Sequence, residues 1–273
     1  MRPEVMGLIA GDGSLPPLLI SKWREQNLDP VVIALDGFAN PDIYNGLTGK
    51  TIPLGAAGQM ISFLKENGVT DLVVAGRVSR PDFMKLKPDP RGMMIITKIA
   101  LMKNIGDDAL LRVIRAEIEK EGIKVCAIQE FLPEVLTPEG LLTKTTPLPE
   151  DKTSIEMGFQ AARDHGAKDL GQSVVIQQEN IIGFEGEKGT NALIRQSGKG
   201  KQIGRGPILV KTCKPQQDKA LDLPTAGLST VKEAQAAGFC GIVLQAKETI
   251  LLDRDEVIEF CDAHNMFLLG KSA

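Results

Sequence analysis

Short apolar runs alternate with amphipathic segments along the first half of the chain. The apolar runs are of the length and composition that form buried strands, and they lie at Met6–Ala10, Pro30–Leu35, Asp71–Ala75 and Lys124–Ile128. The segments between them have a helical period and lie at about Pro16–Gln26, Ala57–Asn67 and Asp107–Glu121. Strands that alternate with helices predict a parallel sheet, whose ligands bind beyond the carboxyl ends of the strands.

The pattern lapses between Leu132 and Pro149 into proline, threonine and glycine, a composition that favours an extended connection. We therefore predict a Rossmann-like α/β domain over 1–132, a linker over 133–149, and a second α/β domain over 150–273. Predicted helices of the second domain span 152–165, 191–196, 231–237 and 254–264, and predicted strands span 173–178, 181–184, 208–211, 241–244 and 249–252. The sequence shows no internal repeat.

Composition excludes several classes of function. A net charge of −3 and an aromatic content of 4% oppose a nucleic-acid surface, which needs a basic face and stacking rings. Four cysteines without C-x-x-C spacing, and an N-terminus without a secretion signal, favour a reducing cytoplasm. No apolar stretch approaches the roughly 18 residues of a membrane span, so we expect at most peripheral contact with a membrane surface.

Histidine is the scarcest metal ligand, since His165 and His264 are the only two. A histidine-rich metal centre is therefore excluded. A catalytic metal would be held by oxygen ligands, which suit Mg²⁺ or Mn²⁺ better than zinc.

A glycine-rich turn, Gly11-Asp12-Gly13-Ser14, follows the first strand and precedes the first helix. Its backbone N–H groups and the helix dipole favour a phosphate, although an ordinary strand-helix turn explains the same residues. Pro16 stands where the dinucleotide fingerprint has its third glycine. Asp36, which follows the second strand, suits a ribose acceptor, so a nucleotide-dependent oxidoreductase stays open.

Arginines follow the third strand in AGRVSRPDF, where Arg77 and Arg80 would face the crevice. Guanidinium groups grip phosphates bidentately, and a solvated loop with a surface ion pair is the alternative. Asp107 and Asp108 begin a long helix, which they stabilise through its dipole; a metal or ribose role is the alternative.

The densest polar segment spans residues 210–227. Its charged side chains are Lys211, Lys214, Asp218, Lys219 and Asp222. Lysines neutralise phosphate oxygens and carboxylates hold Mg²⁺ or orient water, both of which phosphoryl transfer requires. The irregular, proline-containing run after an apolar strand favours a site over a wet helix face.

Thr190 and Asn191, in a glycine turn, either cap a helix or reach a phosphate or sugar. Gln172 either ends a helix or lines a site. His165 and His264 lie near helix ends, where a favourable interaction with the dipole explains them.

Taken in order, these stretches resemble a known family over essentially the whole chain. They are GLIAGDGSLP, AGRVSRPDF, GDDALLR, LPEVLTPEGLLT, GQSVV, GTNALI, KPQQDKALDLPTAG and LLDRDEVIEFCDAHNMFLLG. The ordered set is similar to the LpxI family of UDP-2,3-diacylglucosamine pyrophosphatases.

That resemblance implies a two-domain, Mg²⁺-dependent hydrolase of lipid A biosynthesis in Gram-negative bacteria. The implied reaction splits UDP-2,3-diacylglucosamine into UMP and 2,3-diacylglucosamine 1-phosphate (lipid X), with water attacking the phosphorus nearer the glucosamine between the two domains. A cytoplasmic homodimer, with at most peripheral contact at the inner membrane, is the expected form. A lipid X carrier without catalysis is a further alternative.

Carried over position by position, the resemblance assigns roles to individual residues. Asp222 becomes the metal ligand and catalytic centre, with Asp218 and Lys214 beside it. The implied substrate-binding residues are Gly11, Asp12, Gly13, Ser14, Leu15, Arg77, Gln172, Thr190, Asn191, Lys211, Gln217 and Thr225. Ala220 stands where the family commonly has a basic residue, and Asn191 where it has an acidic one, so the phosphate clamp and a second metal carboxylate differ here.

Overall fold

A computed structural model of the chain describes residues 5–78, 86, 88–102, 107–200 and 203–273, with Asp107 and Asp108 described by their backbone alone. Its internal contacts divide the chain into two units. Unit 1 comprises the chain as far as Pro133 together with Asp218–Asp222. Unit 2 comprises Glu134–Gln217 and Leu223–Ala273.

Unit 1 contains alternating strands and helices, as the apolar pattern predicts. They are β1 (Met6–Ala10), α1 (Leu15–Glu25), β2 (Val31–Leu35), β3 (Gly49–Ile52), α2 (Ala57–Glu66), β4 (Asp71–Ala75), α3 (Pro90–Leu101), α4 (Asp107–Glu119) and β5 (Lys124–Cys126). Short 3-10 helices lie at Pro41–Tyr44 and Ile128–Glu130.

The strands of unit 1 form a parallel sheet in the order β3-β2-β1-β4-β5 over the described residues. Every residue of β1 and β2 is buried, because both faces of a parallel sheet are covered. The strand order changes direction between β1 and β4, and such a switch point opens a crevice at the carboxyl ends of the two strands. The predicted parallel α/β sheet is confirmed.

Unit 2 contains more strands, several of them short. In chain order they and the helices are β6 (Gly140–Leu141), α5 (Asp151–Ala167), β7 (Ser173–Gln177), β8 (Asn180–Phe184), α6 (Gly189–Lys199), β9 (Ile208–Lys211), β10 (Thr225–Ala226), α7 (Leu228–Ala236), β11 (Gly241–Gln245), β12 (Ile250–Leu251), α8 (Arg254–Ala263) and β13 (Phe267–Lys271).

The main sheet of unit 2 is mixed, in the order β6-β13-β11-β9-β7-β8 within the described part of the chain. Strands β9, β11 and β13 are parallel, whereas β6, β7 and β8 pair antiparallel with their neighbours. Two clusters of buried residues cover the sheet, one with α5 and one with α6, α7 and α8. The carboxyl ends of β8 and β9 and the start of β7 therefore meet at one edge.

Two features differ from the sequence-based expectation. The predicted linker over 133–149 is instead counted in unit 2 from Glu134 onward, because β6 pairs with β13. Asp222 falls within the predicted second domain of 150–273 but is counted in unit 1, because Ala220 and Leu221 pack against the apolar core of that unit. None of the helices among the described residues is long and apolar enough to cross a membrane.

Candidate functional site

The glycine turn of unit 1 lies at the switch point between β1 and β4. The Gly11 N–H donates to the Ala75 carbonyl at 2.8 Å, and Asp12 and Arg77 exchange two backbone hydrogen bonds of 2.9 and 2.7 Å. A Cβ on Gly11 would lie 2.7 Å from the Arg77 carbonyl oxygen, so glycine is required for this close approach. The turn is therefore joined to the loop after β4, at the edge where the sequence predicts a ligand.

Two prolines limit what the start of α1 can bind. The N–H groups of a helix's first turn normally bind anions, but Pro16 and Pro17, in that turn, have none. Leu18 already donates to the Ser14 carbonyl. The start of α1 thus offers at most the N–H groups of Ser14 and Leu15, which disfavours the dinucleotide alternative. Leu15 itself is buried, and Gly13 adopts a positive φ of 108°.

Asp12 and Arg77 form an ion pair at this turn, 2.7 Å from Oδ2 to Nη2. The hydrogen bond from the Arg77 guanidinium holds the pKa of Asp12 below its ordinary value. Both side chains are largely exposed, so the remaining N–H donors of Arg77 face solvent. Arg80 lies outside the described residues.

The segment from Asp218 to Asp222 is anchored to α4 through Asp218. The Arg115 Nη1 donates to Asp218 Oδ1 at 2.8 Å, and the Ala220 N–H donates to the same oxygen at 3.1 Å. The Asp218 carbonyl accepts from the N–H of Leu221 and from that of Asp222. Asp218 therefore shapes the turn that carries the half-buried Asp222, a positioning role that sequence reasoning did not assign to it.

A buried polar cluster lies at the edge where β7, β8 and β9 meet in unit 2. Lys211, the last residue of β9, donates to Thr190 Oγ1 at 2.9 Å, and the Thr190 hydroxyl donates to Glu185 Oε1 at 2.7 Å. Ser173 Oγ lies 3.4 Å from Thr190 Oγ1. The ammonium and the carboxylate are thus joined through one hydroxyl. Both charged residues are buried, since Lys211 is 5% exposed and Glu185 is 7% exposed.

Electrostatics of this cluster favour the ionised carboxylate. Burial by itself would raise the pKa of Glu185, but the Lys211 charge, the Thr190 and Ser173 hydroxyls and the Gln172 N–H together lower it below its ordinary value. The Gln172 N–H donates to Glu185 Oε2 at 3.0 Å. His165, in the last turn of α5, lies 2.7 Å through Nε2 from the Glu185 carbonyl oxygen.

Two polar atoms beside this cluster are buried without a hydrogen-bond partner in the described part of the chain, the Gln172 Oε1 and the Thr212 Oγ1. Their backbones are joined, since the Thr212 N–H donates to the Gln172 carbonyl at 2.9 Å. A buried polar atom without a partner costs free energy, and such atoms concentrate where water or a ligand binds. This supports a polar ligand at the end of β9.

The loop after β9 holds the other predicted residues of unit 2. Lys214 Nζ pairs with Asp169 at 2.6 Å, and its N–H donates to Gln217 Oε1 at 3.1 Å. The buried Gln217 amide therefore shapes the turn that presents Lys214. Thr225 begins β10, with its hydroxyl donating to the Leu223 carbonyl. Asn191 is half-buried in α6; Thr190 lies inside this helix and bonds Glu185 rather than capping it.

The described side chains limit which metal ions and which nucleophiles the site could use. Among the described residues, no group of three or more His, Cys, Asp or Glu side chains could hold a metal ion. Mg²⁺ commonly binds through one or two carboxylates together with substrate phosphates, so a site based on Asp222 is consistent with this donor set.

Burial raises the pKa of Cys126 to about 11, and those of Cys240 and Cys261 to about 12, so these three thiols are poor nucleophiles at neutral pH.

Comparisons with known proteins cover both units. The family model of the LpxI N-terminal domain matches residues 5–135, and that of the LpxI C-terminal domain matches residues 138–269. The curated UDP-2,3-diacylglucosamine pyrophosphatase LpxI of Caulobacter vibrioides is 35% identical over 271 residues, 97% of this chain and 96% of that protein.

The solved structures that resemble this chain have lower sequence identity and cover less of it. The Bordetella bronchiseptica enzyme WbmG in complex with NAD and UDP is 22% identical over 29% of this chain and 26% of its own, with a TM-score of 0.25. The same enzyme in complex with NAD is 16% identical over 45% and 36%, with a TM-score of 0.30.

Proposed function

The chain belongs to the LpxI family, and on that premise we propose that it hydrolyses the pyrophosphate bond of UDP-2,3-diacylglucosamine. The observation that carries this proposal is the 35% identity to the Caulobacter enzyme of that name across 97% of the chain. The products would be UMP and 2,3-diacylglucosamine 1-phosphate. The prolines at the start of α1 favour this hydrolase over a dinucleotide-dependent oxidoreductase.

The reaction needs its phosphate charge neutralised and its water held in line. We assign phosphate binding to the buried Lys211 ammonium, which Thr190 and Glu185 hold in one orientation. Lys214 is a further phosphate donor of unit 2, and in unit 1 we assign phosphate donation to Arg77 and to the N–H groups of Ser14 and Leu15. Asp222, on the turn shaped by Asp218, orients the water or binds the metal.

Mg²⁺, or Mn²⁺ in its place, is the cofactor that we propose, with Asp222 as its protein ligand. A bound divalent ion neutralises phosphate oxygens and lowers the pKa of water. The water oxygen then bonds to the phosphorus attached to the glucosamine, and the bond from that phosphorus to the bridging oxygen breaks. UMP leaves with the bridging oxygen, and the two protons of the water pass to the phosphate products and to solvent.

Hydrolysis in ¹⁸O-labelled water tests the reaction and its direction together. Incubation of the purified protein with UDP-2,3-diacylglucosamine and Mg²⁺ is expected to give UMP and 2,3-diacylglucosamine 1-phosphate, with ¹⁸O in the latter by mass spectrometry. EDTA is expected to stop turnover. Label found in UMP would place the attack on the other phosphorus, and no cleavage with Mg²⁺ or Mn²⁺ by a folded protein would reject the hydrolase.

The variant Asp222→Asn examines the assigned carboxylate in the same assay. We expect kcat to fall at least about 100-fold, since the amide keeps the shape but loses the charge. Asp29→Asn, at an aspartate of unit 1 whose side chain is 82% exposed, is the matched control and should retain full activity. Equal rates for the two variants would remove Asp222 from the mechanism.

A further inference from the structure

Helix α3 is apolar on both faces. Gly92 and Ile95 are buried against unit 1, as expected for a surface helix. The outward side nevertheless carries Met93 and Met94, each 52% exposed, and Leu101, 80% exposed. Met102, directly after the helix, is also exposed. An ordinary surface helix is polar on its outward side, whereas the exposed polar side chains of α3 are Thr97 and Lys98 alone among the described residues of this helix.

The one hydroxyl in the middle of this face does not make it polar. Thr97 lies between Met93 and Leu101 at the helical spacing of four residues. Its Oγ1 donates to the Met93 carbonyl at 2.8 Å, so the hydroxyl is satisfied by the helix itself. Other exposed large hydrophobic side chains among the described residues, such as Leu148, Met157 and Leu170, are separated along the chain, as on most proteins.

Basic groups border the apolar face on the side of α4. Glu117 accepts hydrogen bonds from Lys98 and Lys120, each at 2.8 Å. Glu121 is likewise shared between Arg91 at 2.7 Å and Lys65 at 2.8 Å. Two carboxylates thus form ion pairs with four cationic side chains, so these six groups together carry a net positive charge.

The sequence around α3 has the same sign. Residues 77–103 contain seven lysines and arginines and two aspartates, a net charge of +5 in a chain whose net charge is −3. An exposed apolar helix face with a basic border is typical of helices that lie in the plane of a membrane surface. Anionic headgroups attract such borders, and the apolar side chains enter the boundary of the acyl chains.

We propose that the outward face of α3, made by Met93, Met94, Thr97 and Leu101, docks on the surface of an anionic phospholipid bilayer. The proposal rests on the proposed function, because a substrate with two acyl chains resides in such a bilayer. A second copy of the chain fits this face less well. A twofold contact brings the same surface of both copies together, and it sets the two basic borders against each other when the axis runs across the helix.

Vesicle flotation tests the surface directly, with no substrate present. The full-length protein is mixed with vesicles of phosphatidylethanolamine and phosphatidylglycerol, or of phosphatidylcholine alone. We expect it to float with the anionic vesicles, and 0.5 M NaCl or neutral vesicles to reduce the bound fraction several-fold. No flotation with anionic vesicles, or equal flotation with both kinds, would overturn the proposal.

A triple variant, Met93→Gln, Met94→Gln and Leu101→Gln, isolates the face. Glutamine retains helix propensity, so the fold should survive, as circular dichroism can verify. We expect at least a tenfold loss of vesicle binding. The matched control carries Leu148→Gln, Met157→Gln and Leu170→Gln, at exposed positions of unit 2, and should float like the wild type. Equal loss in both triple variants, or a change of oligomeric state in the α3 variant by light scattering, would contradict membrane docking.

Activity provides a second readout. On substrate embedded in anionic vesicles the α3 variant should be about tenfold slower than wild type, whereas on substrate in detergent micelles the two should be equal. A variant equally slow on both would point to damage in the active site. If the wild type cleaves neither substrate, the hydrolase proposal fails, while the flotation result still decides whether α3 docks.

Discussion

At the scale of single residues, the hydroxyl of Thr190 has the most consequential position in unit 2. It accepts from Lys211 and donates to Glu185, so that one small side chain joins two buried charges. Charges this deeply buried are stable only when their hydrogen bonds are complete. Thr190 is therefore expected to matter for stability and for the orientation of Lys211 alike.

The substitution Thr190→Val keeps the shape of the side chain and removes its hydroxyl. We expect the free energy of unfolding to fall by about 1–3 kcal/mol, because the buried ammonium loses one acceptor and the buried carboxylate loses one of its donors. Hydrolysis should slow as Lys211 loses its fixed orientation. Urea denaturation and steady-state kinetics measure the two effects. Thr190→Ser should recover most of both, and a valine variant with the stability of wild type would show that the shared hydroxyl contributes nothing.

Sequence reasoning located Thr190, Lys211 and Gln172 but missed Glu185. Thr190 and Lys211 carry signals, a glycine turn before a helix and a lysine at the end of a buried strand. Glu185 follows β8, a strand exposed at most of its positions, and a carboxylate there is indistinguishable in sequence from a surface charge. Its burial depends on hydrogen bonds from Thr190 and Gln172, which a linear pattern does not contain.

At the scale of elements, the strands with continuous apolar runs were predictable and the irregular ones were not. The predicted strands at Met6–Ala10 and Asp71–Ala75 match β1 and β4. The sequence pattern does not predict β3, α3 or β13. Strand β3 is short and only partly buried, and α3 lacks the polar face by which a helix is recognised. Strand β13 is a short apolar run whose strand character comes from pairing with β11 and β6.

The contact between α3 and α4 is expected to depend on pH through Glu117. Hydrogen bonds from Lys120 and Lys98 lower the pKa of this carboxyl to about 2, from an ordinary value of 4.5. A lowered folded-state pKa stabilises the fold above the unfolded-state value, and that stabilisation disappears as pH falls from 4.5 towards 2.

The substitution Glu117→Gln exposes this dependence. We expect it to lower the free energy of unfolding by about 1 kcal/mol at pH 7, since it removes two ion pairs in which the carboxylate is buried and both ammonium groups are half-exposed. The difference from wild type should shrink between pH 4.5 and pH 2, as followed by chemical denaturation at each pH. A difference independent of pH would assign the loss to packing instead of charge.

At the scale of the whole molecule, unit 1 is discontinuous in sequence. The chain leaves unit 2 at Gln217, contributes Asp218–Asp222 to unit 1, and returns to unit 2 at Leu223. The apolar pattern predicts two α/β units with a change near residue 132, and the first part of unit 1 extends as far as Pro133. The pattern does not predict that Asp218–Asp222 belongs to unit 1, because the packing of Ala220 and Leu221 on a core distant in sequence leaves no local periodic signal.

Two leucines that are two positions apart should consequently stabilise different units. Leu221→Ala is expected to cost about 1–2 kcal/mol and to reduce amide protection in β4, β5 and α4. Leu223→Ala, at a buried leucine counted in unit 2, should reduce protection in unit 2 instead. Hydrogen exchange followed by mass spectrometry resolves the two patterns. The same pattern for both leucines would contradict the division of this segment.

The position of Asp218–Asp222 in the sequence also affects how unit 1 folds during synthesis. A growing chain folds from its N-terminus, and an uninterrupted N-terminal domain can finish while the rest is still being synthesised. Here the first unit lacks its last five residues until the ribosome has passed position 222 of 273. The apolar surface that Leu221 covers stays exposed to solvent until then. A gene segment that ends at residue 133 would therefore encode an incomplete domain.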